Sequence, residues 1–166
     1  PNGGTPEITD VAFNRVVLYS QSLSVPLRRN HDAPNVLRGK KIFSDIKCAS
    51  CHIPKMQTGN DYYLQGLRNQ TIRPYTDMLL HDMGPGLADG APDYLATGNE
   101  WRTPPLWGIG LISTVNGHTQ LLHDGRAENI TEAILWHGGE AENSKNMFKQ
   151  LTAAERQDLL DFLNSL

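Results

Sequence analysis

The chain has 166 residues, of which 39% are hydrophobic and 20% are charged, and its formal net charge at pH 7 is −3. This length suffices for one domain with a core, or for a small domain with an arm. No basic patch indicates nucleic-acid binding, and no apolar run in the sequence is long enough to cross a membrane.

A helical arm is predicted at the start of the chain. Residues 7–24 favour a helix, with Thr5 as a candidate N-cap and Pro6 in the first turn. Pro26 ends this run. The apolar pattern of this first helix occurs again in the last helix of the chain. The match arises either by chance or because the first helix is the closing helix of an upstream domain. We therefore expect residues 1–34 to be an arm or linker left from such a domain.

Two further helices are predicted to cross each other. Residues 35–44 form the first, and Gly39 within it implies the close approach of another helix, because glycine costs about 1 kcal/mol relative to alanine in a helix. Residues 152–166 form the second. Thr152 and Glu155 are spaced as a capping box at its start.

The two cysteines of the chain lie in the segment Cys48-Ala49-Ser50-Cys51-His52. A Cys-x-x-Cys-His segment is typical of covalent haem c attachment. Two thiols on one side of a short turn can add to the two vinyl groups of one porphyrin, and His52 can then ligate the iron. A redox cysteine pair would favour a βαβ pattern and a zinc site would need a second ligand pair, and the sequence contains neither.

Covalent haem attachment also predicts where the protein resides. This chemistry takes place outside the cytoplasm, so we expect an extracytoplasmic protein, most simply a periplasmic one, that was exported with a signal. The sequence starts at Pro1-Asn2-Gly3-Gly4 with neither a methionine nor a signal peptide, which is expected of a mature or trimmed product.

The middle of the chain, residues 53–129, is predicted to be loop-like because glycine and proline recur throughout it. Such a long loop is unusual in a compact domain, but a porphyrin supplies apolar surface on which loops can pack. One short helix is expected at residues 130–137, with Asn129 as its cap and Gly138-Gly139 after its end.

The predicted fold class is all-α. A glycine-bearing helix before the haem motif and an apolar helix after the loops form the pattern of small cytochrome c domains. We expect residues 35–166 to form such a class I cytochrome c-like domain, with long loops around one covalent haem c and the helical arm before it.

Five segments carry further motifs: residues 74–84, 101–107 (Trp-Arg-Thr-Pro-Pro-Leu-Trp), 122–127 (Leu-His-Asp-Gly-Arg-Ala), 132–137 (Glu-Ala-Ile-Leu-Trp-His) and 136–141. Their order resembles the second haem domain of bacterial di-haem cytochrome c peroxidases. Those proteins carry an aromatic-Arg-x-Pro-x-Leu segment, then His-Asp-Gly, then Glu-Ala-x-x-x-Met. The closer resemblance is to their relatives, the di-haem oxidoreductases also described as thiol oxidoreductase-like, and it covers nearly the whole chain.

The sequence departs from this resemblance in the number of haem motifs, because those families have two and this chain has one. The resemblance therefore implies the C-terminal, electron-transferring half. We expect single-electron transfer through a six-coordinate haem c. A peroxidase-like oxidoreductase domain that reduces hydrogen peroxide, with a second haem domain, is the alternative. The expected partners are a redox protein and either a second haem domain or another copy of the chain.

The resemblance also implies the second axial ligand of the iron. Counted from His-Asp-Gly, the axial methionine of the peroxidases falls on His137, which implies ligation by His52 and His137. A histidine at a helix end that interacts with the helix dipole is the alternative interpretation. Met83, in a loop rich in glycine and proline, is the rival ligand. A methionine would raise the haem potential, whereas a second imidazole would lower it.

Four further residues are candidates for the haem pocket. Arg102 and Arg126 can pair with the haem propionates, because guanidinium groups bind carboxylates through two hydrogen bonds. Solvated surface positions are the alternative for both. Trp101 is expected to pack in the pocket. The family's His-Asp-Gly segment implies that His123 stands near the haem edge, and His81 also precedes an aspartate that can orient it.

Overall fold

The computed structural model describes residues 4–166, so Pro1, Asn2 and Gly3 at the start of the predicted arm lie outside the described residues. Residues 4–166 contain six α-helices: α1 (Asp10–Ser22), α2 (Pro34–Asp45), α3 (Ile112–Asn116), α4 (Ile130–Trp136), α5 (Glu142–Gln150) and α6 (Ala153–Ser165). The same residues contain four short strands: β1 (Met56–Gln57), β2 (Thr71–Ile72), β3 (Leu80–Asp82) and β4 (Glu100–Arg102).

The prediction of a purely helical, class I cytochrome c-like domain is wrong, because the fold is mixed: 44% helical and 9% strand. Strands β1 and β2 form one antiparallel pair, and β3 and β4 form another in which His81 lies opposite Trp101. All four strands fall within residues 53–129, the stretch predicted to be loop-like. Pairing satisfies backbone hydrogen bonds that an irregular loop would leave to water.

Helices α2 and α6 pack against each other and supply most of the core. Their buried side chains are Val36, Phe43, Leu159, Phe162 and Leu163. The expected close approach at Gly39 is confirmed, because a Cβ atom built there would overlap the carbonyl oxygen of Asp158. Arg38 donates two hydrogen bonds to the Asp158 carboxylate, of 2.6 and 2.8 Å. These contacts fix α2 immediately before the Cys-x-x-Cys-His segment.

Two predicted helix starts are confirmed by their caps. Asn129 begins α4, and its side chain accepts a hydrogen bond from the backbone N–H of Glu132. Thr152 and Glu155 form the reciprocal capping box of α6. Because these caps satisfy backbone groups that the first turn leaves open, they fix where each helix begins.

The arm differs from the core. Helix α1 begins later than predicted, with Thr9 rather than Thr5 as its N-cap, because Oγ1 of Thr9 accepts a hydrogen bond from the backbone N–H of Ala12. No residue of α1 is buried, and several of its apolar side chains are exposed: Val11, Phe13, Val16, Leu18 and Tyr19. Neither α1 nor any other helix within residues 4–166 has the length and hydropathy of a membrane span. The division at residue 34 remains a prediction.

Candidate functional site

The cysteine segment forms a tight turn directly after α2. Lys47 adopts a left-handed conformation, with φ of 68°, and a short 3₁₀ helix follows at Cys48–Ser50. The backbone N–H groups of Cys51 and His52 both donate to the carbonyl oxygen of Cys48. The turn therefore brings the two cysteines and the histidine into a single coil of backbone.

The two cysteines are half-buried free thiols. Burial raises the pKa of Cys48 to about 12. Burial also raises the pKa of Cys51, and the carboxylates of Asp77 and Glu140 raise it further. Reactive redox cysteines have the opposite property, a lowered pKa that favours the thiolate. The environment of this pair therefore argues against a thiol–disulfide redox centre.

His52 is held in one tautomer. Its Nδ1 lies 2.9 Å from the carbonyl oxygen of Tyr75, and because a carbonyl oxygen only accepts, Nδ1 must donate. The lone pair therefore resides on Nε2. Burial lowers the pKa of His52 to about 4, so the ring is neutral at physiological pH. A neutral imidazole with a free Nε2 is the form that ligates metals.

His137 repeats this arrangement at the end of α4. Its Nδ1 donates to the carbonyl oxygen of Ala133 at 2.7 Å, and Nε2 is again left with the lone pair. Burial lowers the pKa of His137, and the nearby charge of Lys145 lowers it further. A histidine that served the helix dipole would be stabilised as a cation, so the neutral ring favours the ligand interpretation.

The segments that carry the two imidazoles meet at His81. Its Nδ1 lies 3.8 Å from the sulfur of Cys51, the residue before His52, and 2.8 Å from the carboxylate of Glu140, three residues after His137. Among residues 4–166, no hydrogen-bonding partner occupies Nε2 of either ring. Two elements distant in sequence thus present the same type of metal-ligand atom to one region.

Met83, the rival ligand, lies beside the same segment. It is half-buried, and its backbone N–H donates to the carbonyl oxygen of Asn99 at 2.9 Å. A Cβ atom built on Gly138 would lie 2.8 Å from the carbonyl oxygen of Met83. Both candidates for the second axial ligand therefore belong to backbone segments that touch.

His81 has a different environment. Its Nε2 lies 2.8 Å from the Asp77 carboxylate and its Nδ1 lies 2.8 Å from the Glu140 carboxylate. The hydrogen bonds to Glu140 and Asp77 raise its pKa despite partial burial. Its predicted partner, Asp82, instead accepts from the backbone N–H of Gly84. Glu140 belongs to the motif segment 136–141, but its contact with His81, 59 residues away, was not predicted.

Ligand-type atoms of Cys51, Asp77 and His81 lie within 4.8 Å of one another. The Cys51 sulfur is 3.8 Å from Nδ1 of His81. Both nitrogens of His81 are already hydrogen-bonded to carboxylates, however, and the Cys51 thiol is protonated. This grouping therefore resembles a hydrogen-bonded cluster next to the cysteine segment more than a metal site.

Trp101 and His123, both predicted for the haem pocket, contact each other. Their rings stack with centroids 3.6 Å apart and planes 12° from parallel. Nε1 of Trp101 donates to the carbonyl oxygen of Leu87 at 3.0 Å, which fixes the indole. His123 lies 3.8 Å from Asp124, too far for a strong hydrogen bond, so stacking holds its ring in place.

The two predicted propionate ligands occupy different environments. Arg126 donates from Nε to the Asp124 carboxylate at 2.6 Å, and its guanidinium lies 4.8 Å above the ring of Trp136. Arg126 is thus next to the residue that precedes His137. Arg102 is exposed on β4, where Nη1 lies 3.5 Å from the sulfur of Met78. Their pairing with propionates remains a prediction.

A family model described as "Di-haem oxidoreductase, putative peroxidase" matches residues 1–166, the whole chain. No curated protein and no solved structure matches the chain. The family description implies that the protein binds haem and takes part in redox chemistry. The resemblance that the motif order indicates is confirmed, and the chain belongs to the di-haem oxidoreductase family.

Proposed function

We propose that this chain transfers single electrons through one covalently attached haem c, whose iron has His52 and His137 as its axial ligands. One observation carries the proposal: the imidazoles of His52 and His137 each donate Nδ1–H to a main-chain carbonyl and keep Nε2 free. Histidines that bind metals almost always donate their other ring N–H in this way, because the hydrogen bond orients the ring.

The cysteine residues fit covalent attachment. In that reaction each S–H adds across one vinyl group, so that a thioether bond forms and the hydrogen moves to the neighbouring carbon. Cys48 and Cys51 are protonated free thiols on one turn, which is the form consumed by this addition. Exposed apolar side chains flank the site and offer surface for porphyrin contact: Met78, Leu79, Leu135 and Trp136.

Two protein ligands suit electron transfer. Bound haem supplies the one-electron Fe(III)/Fe(II) couple. Both imidazoles are neutral and held by backbone hydrogen bonds, so they can remain in place in either oxidation state. With both axial positions occupied by protein, no position on the iron is left for a substrate.

The family description also supports a peroxidase-like alternative. In that case the second axial ligand would leave the iron after reduction or partner binding. Addition of hydrogen peroxide to the reduced protein separates the two functions. Slow, one-electron oxidation supports electron transfer, whereas rapid two-electron turnover supports the peroxidase.

A second haem domain is the partner class that we propose. The family is di-haem, whereas the 166 residues contain one Cys-x-x-Cys-His segment. The exposed apolar side chains of α1 provide contact area for such a domain. We place the protein in the periplasm, or elsewhere outside the cytoplasm, since haem is attached covalently there. Another copy of the chain is the competing partner, and sedimentation of the purified chain distinguishes a dimer from a monomer.

The spectrum of the purified protein tests the proposed ligands. We expect a pigment that acidic organic solvent does not extract, and an oxidised low-spin spectrum without the far-red band of sulfur-to-iron charge transfer. His137→Ala should give a high-spin spectrum, while His123→Ala, the matched control, should not. An extractable pigment would refute covalent attachment. A far-red band would assign the ligand to Met83.

A further inference from the structure

The Asp77, His81 and Glu140 side chains form a hydrogen-bonded chain across the candidate site, with two donor–acceptor distances of 2.8 Å. The side chains of Asp77 and His81 are 6% and 16% exposed, while that of Glu140 is 55% exposed. An imidazole that donates a hydrogen bond from each ring nitrogen to a carboxylate is cationic. Hydrogen bonds between charged groups are stronger than those between neutral groups. This chain joins three backbone segments.

One end of the chain belongs to the segment that orients His52. Asp77 follows Tyr75 by two residues, and the carbonyl oxygen of Tyr75 accepts the hydrogen bond from His52. Asp77 also accepts a hydrogen bond from the backbone N–H of Leu79 at 2.9 Å, which fixes its carboxylate. Asp77 is therefore separated by only two residues from the carbonyl group that orients His52.

The other end belongs to the segment that carries His137. Glu140 follows His137 by three residues, and its second carboxylate oxygen accepts from the backbone N–H of Asp82 at 3.0 Å. Glu140 thus contacts the side chain of one residue of β3 and the backbone of the next. It attaches the loop after α4 to the strand at two points.

The backbones of these segments touch where the carboxylate attaches. Gly139 adopts a φ of 50°, and a Cβ atom built on it would overlap the carbonyl oxygen of Asp82 and lie 2.7 Å from the backbone nitrogen of Gly84. The close approach leaves no room for an interdigitating side chain. At this contact the loop after α4 is therefore held against β3 by polar bonds, including the two hydrogen bonds of Glu140 to His81 and Asp82.

We infer that Asp77, His81 and Glu140 form a clamp that holds the His137 segment against the segment orienting His52, and so keeps the second axial ligand on the iron. The inference rests on the proposed function, since it requires His137 to be that ligand. His81 is a positioning residue here: it contacts neither the iron nor a substrate. Weakening the clamp should let the loop move and open the sixth coordination position.

The rate at which cyanide replaces the second axial ligand of the oxidised haem protein tests the clamp. Cyanide can enter only when the protein ligand has left, so the rate reports ligand release. We expect His81→Ala to raise it about tenfold, a ratio that corresponds to about 1.4 kcal/mol. Glu140→Gln keeps the shape and removes one charge, so it should raise the rate less. His31→Ala, at an exposed histidine, is the matched control and should leave the rate unchanged.

The outcomes separate this inference from the proposed function. The clamp alone would be overturned if the unaltered protein binds cyanide slowly and both variants bind it at similar rates. Here similar means that the rates of His81→Ala and Glu140→Gln lie within about twofold of the unaltered rate. If the unaltered protein binds cyanide immediately, its iron is open, and both the proposed ligation and the clamp fail. Should His81→Ala lose its helical circular dichroism, Glu140→Gln decides the question by the same rate criterion.

Discussion

The rings of His52 and His137 each donate to one main-chain carbonyl oxygen, whereas the ring of His81 lies between two carboxylates. Burial lowers the pKa of the first two, and Glu140 and Asp77 raise the pKa of the third. The same side chain is thus neutral at one place and cationic a short distance away. Burial keeps the rings of His52 and His137 neutral, which suits a metal, whereas the two carboxylates outweigh the burial of His81 and suit its ring to an ionic contact.

The largest difference between the two types of histidine should appear when one of each is removed. His52→Ala should abolish the low-spin haem spectrum, because the iron loses the ligand next to its attachment segment. His81→Ala should retain a low-spin spectrum at equilibrium and change mainly the ligand-release rate. Absorption spectra of the two oxidised variants provide the measurement. Equal loss of the low-spin spectrum in both would mean that the two types of histidine do not differ in role.

A change of ligand type at position 137 should alter the haem potential. In His137→Met, the replacement of an imidazole by a thioether should raise the haem potential, by some fraction of the roughly 0.8 V that axial ligands span. A far-red charge-transfer band should appear with it. His31→Met, at an exposed histidine outside the site, should change neither. A potentiometric titration that finds both variants unchanged would exclude His137 from the iron.

The pH dependence of stability distinguishes the cationic ring from the neutral ones. The folded pKa of His81 lies above its ordinary value of 6.5, so its stabilisation is complete below 6.5 and is lost as pH rises through the raised value. The pKa values of Asp77 and Glu140 are lowered, so their contributions are lost as pH falls through values below the ordinary 3.8 and 4.5. The thiol of Cys51 and the ring of His52 also face this cluster.

The difference in free energy of unfolding between the unaltered protein and His81→Ala should therefore be largest between about pH 4.5 and 6.5 and should decline on both sides. Urea unfolding at a series of pH values measures it. A difference that stays constant from acid to alkaline pH would show that His81 contributes by packing instead of by charge.

The smallest expected effect concerns the helix that presents His137. Asn129→Ala removes the cap of α4 and should lower the free energy of unfolding by about 1 kcal/mol. Thr9→Ala removes the corresponding cap of α1, a helix with no buried residue, and should change the cooperative unfolding far less. Thermal unfolding followed by circular dichroism checks both. An equal effect of the two substitutions would contradict the view that the arm contributes little to the core.

Side-chain patterns made several of these elements predictable. Asn129, Thr152 and Glu155 mark helix starts because their own side chains bond the first turn. The strands were not predictable, because pairs of two or three residues are held by backbone bonds that leave little trace in side-chain type. Helix α5 (Glu142–Gln150) was also missed, since its sequence is mostly polar and Phe148 is its buried residue.

The candidate site was predictable to a similar extent. Cys48, Cys51 and His52 form a local motif whose spacing carries the chemistry, and His137 came from the order of family motifs. Contacts between distant segments left no such pattern. The bond from His81 to Glu140 spans 59 residues, and the acceptor for His52 is a main-chain oxygen, a group that every residue has.

The contact of Gly39 with Asp158 has a consequence for the order of events during folding. This contact belongs to the interface between α2 and α6. In the same interface Arg38 pairs with Asp158, which lies 120 positions later in the chain. Interfaces between such distant segments form late, because a long loop must close before any contact forms. Until α6 has docked, α2 stays unburied, and the thiols that follow it stay within reach of the enzyme that attaches the pigment.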